Sequence, residues 1–592
     1  MNKLEKEELE NRILSGEKIK VTYEMFGASG DGIKDDYDAI REAHNFVNRL
    51  YVNHGVLLTV HAVKGHTYYL CDSHNVPISI ATNVDWEGAN FIVDDNSLGD
   101  DVKKLKDPLF QVVSPMRIAT HKSTVNYKDG DILNSAKFSP YIKNAKEFVN
   151  TFLECIVRDD NNSKCKKFFD DSRVIGVVVK NSNSIYLRNG GKSGIEQQDI
   201  ILIDKESGDI LSDIEWNYDD IKEIMVWPIP NEKITIKGGN FLTVTNNRCV
   251  DNSGNKFYVN RAIFVNSTGN VVLENINHYL DERNGYTSKN KERENANSYL
   301  GFIRMTRASF IDVNSVYLTP HTYPCLIGDN GKKEYRGSYD LHLENSQNIT
   351  IDGLKCADND LIDRSKWGVM ASKGSKNVCI MNSSMNRIDA HEGIHNLAVV
   401  NSIIGYRGIT LTGSGNFHGK DLTFYGSNHL ISLREDFGST WKGDIYLENI
   451  NFYPSTLGDV KLIESKHHSD KNYGYNTYFP AISMKNVLIN NPSSDVCIMT
   501  MNDVSENNSN PYHFSGNLYF NNVRFNANNG HKLYLLPNSF VKKEANFNAG
   551  SYLGNSVSVD CIDLDDTFSI PDNLKYSNFF DIYDNSVFKY RR

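Results

Sequence analysis

Phe26-Gly27-Ala28-Ser29-Gly30-Asp31-Gly32-Ile33-Lys34-Asp35-Asp36-Tyr37-Asp38-Ala39-Ile40 is the stretch whose reading decides the fold. Its glycines suit a tight loop where φ must be positive. Asp35 or Asp36 is placed to cap a helix N-terminus. Beyond it, Ala39, Ile40, Ala43, Phe46, Val47 and Leu50 recur at the spacing of one helical face. A short amphipathic helix that lids one end of a stack of strands has this pattern.

A repeat follows. Segments start at Lys233, Asn270, Ser309, Asn348, Asn377, Asn396, Asn416, Asp444, Ala481 and Asn517. Five residues into each stands Gly238, Asn275, Asn314, Gly353, Asn382, Asn401, Asp421, Asn449, Asn486 or Asn522. Gly, Asn and Asp are the residues that tolerate the left-handed conformation of a tight bend. One residue into each segment is apolar throughout, from Ile234 to Leu518. The third position is mostly apolar too, broken by Asp312 and Gly419. That is strand periodicity stacked rung on rung. Residues 56–95 read as the first rungs, through Ile78, Ile80, Phe91, Ile92 and Val93.

With the loop motif, these rungs resemble the pectate-lyase-like superfamily of right-handed parallel β-helices, which includes many phage tailspikes. The resemblance covers most of the chain. The fold expected is an all-β solenoid: a single-stranded right-handed parallel β-helix with an N-terminal capping helix and an inserted α+β subdomain. The organisation expected is an N-terminal helix or docking segment (1–20), the motif, capping helix and first rungs (21–100), the insertion (101–230), the grooved β-helix (231–530) and a C-terminal cap or contact region (531–592). The insertion shows a helix-like piece, Tyr141 to Val157, and strand-like pieces at Val174 to Val179 and Ile200 to Ile203. Its Gly190-Gly191-Lys192-Ser193 echoes a phosphate loop, but Tyr186 stands where the upstream glycine belongs.

Composition narrows the function. The chain has 592 residues and a formal net charge of -10. No apolar run approaches the ~20 residues of a transmembrane helix, so membrane insertion is not expected. Met1 to Gly16 is charged and has no apolar core, so it does not read as a signal peptide. There is no basic patch with interleaved aromatics, which argues against nucleic acid. The nine cysteines are scattered singly, which argues against a disulfide framework or a structural zinc.

The repeat spacing shortens from roughly 37–39 residues to about 19–20 at Asn377 and Asn396, then lengthens again. A bare turn needs about 20–25 residues, so long loops flank a bare stretch, as the walls of a groove would. Polar clusters interrupt the apolar pattern there: Asp363-Arg364-Ser365-Lys366-Trp367-Gly368, Arg387-Ile388-Asp389-Ala390-His391-Glu392, and Arg434 to Trp441. Taking Val369/Ala371, Ile388/Ala390, Ile409/Leu411 and Ile431/Leu433 as inward pairs turns Met370/Ser372, Asp389/His391, Thr410/Thr412 and Ser432/Arg434 outward. Rungs lie about 4.8 Å apart, which places Arg434 roughly 10 Å from Asp389.

The candidate catalytic residues are therefore Asp389, His391, Asp436 and Glu392, with Asp389 or Asp436 as general acid or base. Arg434, Thr410 and Thr412 are candidate binding residues; Arg434 suits a uronate, phosphate or sulfate. Trp367 and Trp441 are candidate stacking platforms for sugar rings. The alternative is a structural polar ladder in which Asp389 and Arg434 satisfy one another. His391-Glu392-Gly393-Ile394-His395 fits a zinc-protease pattern, but that pattern needs a helix, and Gly393 and the next rung leave no room for one. No metal or other cofactor is expected, apart from a divalent cation such as calcium as an option.

The clusters around Trp367, Asp389 and Arg434 also look like a group of phage and gut-bacterial β-helix proteins. The chain lacks the Asn-Thr-Asp, Gly-His-Gly and Arg-Ile-Lys set of polygalacturonases. It also lacks a clear calcium-acid cluster with an arginine base, as in pectate lyases. The resemblance therefore transfers no reaction. It implies a virion tail appendage or tailspike acting on a bacterial surface glycopolymer (capsule, exopolysaccharide or teichoic acid), assembled as a homotrimer with other tail proteins. Three alternatives stay open: a polysaccharide depolymerase, hydrolase before lyase; a non-catalytic receptor-binding appendage; and a bacterial polysaccharide enzyme.

Overall fold

The computed structural model describes the chain apart from residue 1 and residues 72–75, 100, 129–144, 160–161, 188–193, 217, 219–220, 246–257, 282–297, 320–324, 328–332, 336–338, 363–366, 466–476, 501–511, 527–529, 537–551, 554–556, 571–579 and 585–592. The chain divides into two compact units. Asp363 to Lys366, Gly190 to Ser193 and the start of the piece at Tyr141 lie outside the described residues.

The N-terminal unit comprises residues 1–179, 200–355 and 365–367. Its first helix, Lys3–Leu14, is closed by an Asn2/Glu5 capping box. Its Leu9 and Ile13 are buried, and Lys6 reaches Glu42 of the second helix at 2.6 Å. The second helix, Tyr37–His54, buries Ile40, Ala43, Phe46, Val47 and Leu50, the expected face. Capping departs from expectation in detail. Asp35 Oδ1 accepts from Tyr37 N at 3.1 Å, whereas Asp36 accepts from Ser29 N and Gly30 N and so ties the loop to the helix.

Behind this lid the strands stack in parallel. Val60, Val84, Ile236, Leu273, Val313 and Ile351 form one inward column across successive ladders. Each rung buries its inward side chains only against its neighbours, which is how a solenoid builds a core. The rungs run past the expected start of the insertion, because Phe110–Val112 pairs with both Ile78–Ile80 and Ile263–Val265. Between that strand and Ile234, the insertion builds a separate core: Phe148, Phe152 and Ile156 of the helix Ala145–Arg158 pack on Ile175, Val177, Ile224 and Val226 of an antiparallel sheet.

The C-terminal unit comprises residues 180–199, 356–364 and 368–592. Val369, Ile388, Ile409, Ile431 and Ile463 make one inward column, and Val378, Leu397, Phe417, Ile445, Ile482 and Leu518 another. The corner residues behave as their chemistry demands. Gly238, Gly353, Asn382, Asn401, Asp421, Asn449, Asn486 and Asn522 all have φ between 44° and 82°. At Asn314 the bend falls one residue later, on Ser315. The corner side chains stack: Asn449 donates to Asp421, Asn486 to Asn449 and Asn522 to Asn486, at 2.8–3.0 Å. Within the region expected as a C-terminal cap or contact region, Val557–Ile562 and Phe580–Asp584 pair in parallel beyond Leu518–Asn526.

Candidate functional site

The expected register holds around the polar clusters. Met370, Asp389, Thr410, Ser432 and Glu464 form one column, each paired with the next. Beside its lower part lies a cleft of about 730 Å³, within the C-terminal unit. Thr410, Ser432 and Glu464 contribute to its lining, together with Arg434, Glu435, Asp436, Asp459 and Lys461.

Asp389 is the buried anchor. Arg387 Nη2 lies 2.6 Å from its Oδ2, Arg434 Nη1 donates to both its oxygens at 2.7 and 2.8 Å, and His391 Nδ1 lies 3.3 Å from Oδ2. Burial alone would raise this carboxyl. Arg387, His391 and Arg434 together outweigh it and hold Asp389 well below the usual carboxylate range. A carboxylate fixed this way neither carries a proton at neutral pH nor reaches a substrate, so Asp389 does not serve as the general acid. It is the polar ladder that the sequence left open as the alternative.

Arg434 is likewise engaged. Its Nε and Nη2 grip Asp436 at 2.6 and 3.2 Å while Nη1 holds Asp389. It bridges the two aspartates instead of presenting a free fork to an anionic ligand. Asp436 sits on the short turn Glu435–Phe437 and lines the cleft. Thr410 also lines it and accepts from Arg387 Nε at 3.3 Å.

Other expected residues fall elsewhere. Trp441 is fully buried, with Nε1 donating to the Asp444 carbonyl at 3.4 Å. It pairs in register with Gly413 and joins the core, so it offers no platform to a sugar. Thr412 is fully buried as well, because the ladder slips between Ala390 and Ile394 and breaks the alternation there. Glu392 takes φ of 61° at that slip, and the His391-to-His395 stretch is a strand, not a helix. His391 packs its ring 5.8 Å from Phe437. Trp367 belongs to the N-terminal unit, edge-on to Tyr339 at 5.4 Å.

Sequence reasoning missed Glu464, His429 and Lys461. Ser432 Oγ donates to Glu464 Oε2 at 3.4 Å, His429 Nδ1 lies 3.6 Å from the same oxygen, and Lys461 Nζ lies 3.4 Å from Oε1. The signal was present: Ile463-Glu464 repeats Ile431-Ser432 one rung on. As for a cation, His61, Asp85 and Glu87 of the N-terminal unit bring three ligand atoms within 4.8 Å of one another. Lys20 on Glu87 at 2.5 Å and Lys237 on Asp85 at 3.4 Å already bring positive charge there.

No family model matches the sequence, and no curated protein is similar to it. Among solved structures, the chain is similar to the gp49 tailspike of Pseudomonas phage LKA1 (10% identity, 95% of this chain and 84% of that one, TM-score 0.45). It is similar to the gp61 tailspike of Pseudomonas phage phi297 (12% identity, 87% and 84%, TM-score 0.41). It is also similar to an exopolygalacturonase of Thermotoga maritima (10% identity, 83% and 92%, TM-score 0.36). The parallel ladders themselves, rather than these distant likenesses, establish that the chain is a parallel β-helix.

Proposed function

We propose that the protein is a tailspike-type appendage of a phage virion that binds a bacterial surface glycopolymer in the cleft beside Ser432 and hydrolyses it. The observation that carries this reading is the cleft itself. Asp436 and Glu464 both line it, Glu464 on a strand and Asp436 on the turn that follows the neighbouring strand. Two carboxylates lining one cleft suit glycoside hydrolysis, in which one protonates the glycosidic oxygen and the other takes a proton from the attacking water. Arg434 orients Asp436, and Ser432, His429 and Lys461 orient Glu464. Asp389 supports the arrangement as the counter-charge of Arg434. The tail location rests on the resemblance of the opening motif to tailspikes. Assembly as a homotrimer with other tail proteins belongs to the same proposal.

The test is incubation with purified capsular polysaccharide, exopolysaccharide and teichoic acid, following polymer size, reducing ends and unsaturated-uronate absorbance. Shortening with new reducing ends and no absorbance is expected. Asp436→Asn and Glu464→Gln should each slow it about a hundredfold or more. A second reading, a non-catalytic adsorption appendage, draws on the locking of Asp389 into ion pairs. Binding of a polymer that stays full length would establish that reading instead.

A further inference from the structure

The cleft is lined chiefly by polar and charged side chains, with Tyr406 and Leu457 as the large apolar exceptions. A sugar ring has polar edges and apolar C–H faces, and such a lining satisfies mainly the edges. An aromatic surface stands at its margin. Tyr425 and Tyr453 are ladder partners whose rings stack at 4.9 Å and 15°. Both stay well exposed, at 38% and 40%. Covering such rings removes apolar area from water and favours whatever covers them.

Two connections join the pair to the cleft. Tyr425 is followed directly by Gly426, and Tyr453 by Pro454 and Ser455; Gly426 and Ser455 both line the cleft. The backbone fixes this geometry, with Gly426 N donating to the Tyr453 carbonyl at 2.8 Å and Ser455 N to the Ser427 carbonyl at 2.9 Å. In the neighbouring outward column, Ile403 and Leu488 are also exposed, at 37% and 39%. In that column Thr423 and Asn451 separate Ile403 from Leu488, so the exposed tyrosine pair is the aromatic surface that directly adjoins the cleft along the chain.

We infer that Tyr425 and Tyr453 form a second subsite, continuous with the cleft, that takes a hexose or aminohexose residue of a glycan chain running out of it. The inference rests on the cleft reading above and deepens it: the ligand must be a chain longer than the cleft, with an apolar sugar face where it crosses the tyrosines. The pair grips the polymer, while the carboxylates act on it.

The test uses the full chain and fragments, graded by length, of the capsular, exopolysaccharide and teichoic-acid preparations, printed as an array. A Tyr425→Ser/Tyr453→Ser double variant is compared with the wild type and with Glu464→Gln, after matched thermal melting shows that all are folded. The double variant should keep wild-type affinity for the shortest bound fragments and bind the longest about tenfold more weakly. Glu464→Gln should keep the dependence on length while losing cleavage. Equal affinities for double variant and wild type at every length would overturn the inference and leave the cleft reading intact. Uniform loss at all lengths would also overturn it, by making the tyrosines part of the cleft. A wild type that binds no fragment would remove both.

Discussion

Arg434 Nη1 donates to both carboxylate oxygens of Asp389, although their rungs are two apart in the ladder. The long arginine spans that distance and closes a chain of alternating charge: Arg387, Asp389, Arg434, Asp436. Removing one member of a buried pair leaves its partner uncompensated. Asp389→Ala should therefore destabilise the protein by about 3–5 kcal/mol. A thermal melt indistinguishable from wild type would contradict the buried network.

Acid should weaken the fold before the Asp389 network is touched. Burial pushes the His44 and His278 imidazoles down to about 3. Below the unfolded value near 6.5 the unfolded chain takes up protons that the folded chain refuses, so stability falls as pH drops from there toward 3. Each histidine should cost about 1.4 kcal/mol per pH unit in that window. Asp95 works the other way: burial pushes its carboxyl to about 6, so it adds stability as pH falls through that value. The two histidines outweigh it. Melting temperature against pH from 7 to 5 should slope downward toward acid, and His44→Gln should flatten the slope. An unchanged slope would show that His44 is not buried neutral.

At the corners, backbone conformation outweighs side-chain identity. Asn449 takes φ of 58°. A β-branched residue pays heavily there, so Asn449→Val should be about 2 kcal/mol less stable than Asn449→Gly. Equal denaturation midpoints for the two would show that the bend has moved, as it does at Ser315.

Trp441 should act through packing. Trp441→Ala should cost about 3–5 kcal/mol by leaving a cavity. If the variant melted like wild type but lost polymer binding, Trp441 would be a surface contact after all.

The corner column and the inward pairs were legible because each depends on a local rule: left-handed φ at Asn and Gly, and a period of two along a strand. Asp389, Thr410 and Ser432 fell in the expected column for that reason. Thr412 left its expected outward position, and Trp441, expected on the adjoining loop, entered the core, because a phase change intervened. The turn Glu435–Phe437, with Gly438 and Ser439 both at positive φ, resets the alternation before Trp441. The slip after Ala390 does the same for Thr412. Side-chain reach was the other hidden quantity. Rung spacing put Arg434 about 10 Å from Asp389, and the length of the arginine closed that gap.

The stacked corner from Asp421 through Asn449 and Asn486 to Asn522 has a mechanical consequence. Each amide is tied to the rung before it, so a load along the stack passes from rung to rung through these bonds in turn. A force on one end would have to peel rungs away one at a time, and each rung still seated would template the return of the last one lost. For a stack of rungs, such a corner combines stiffness with self-repair.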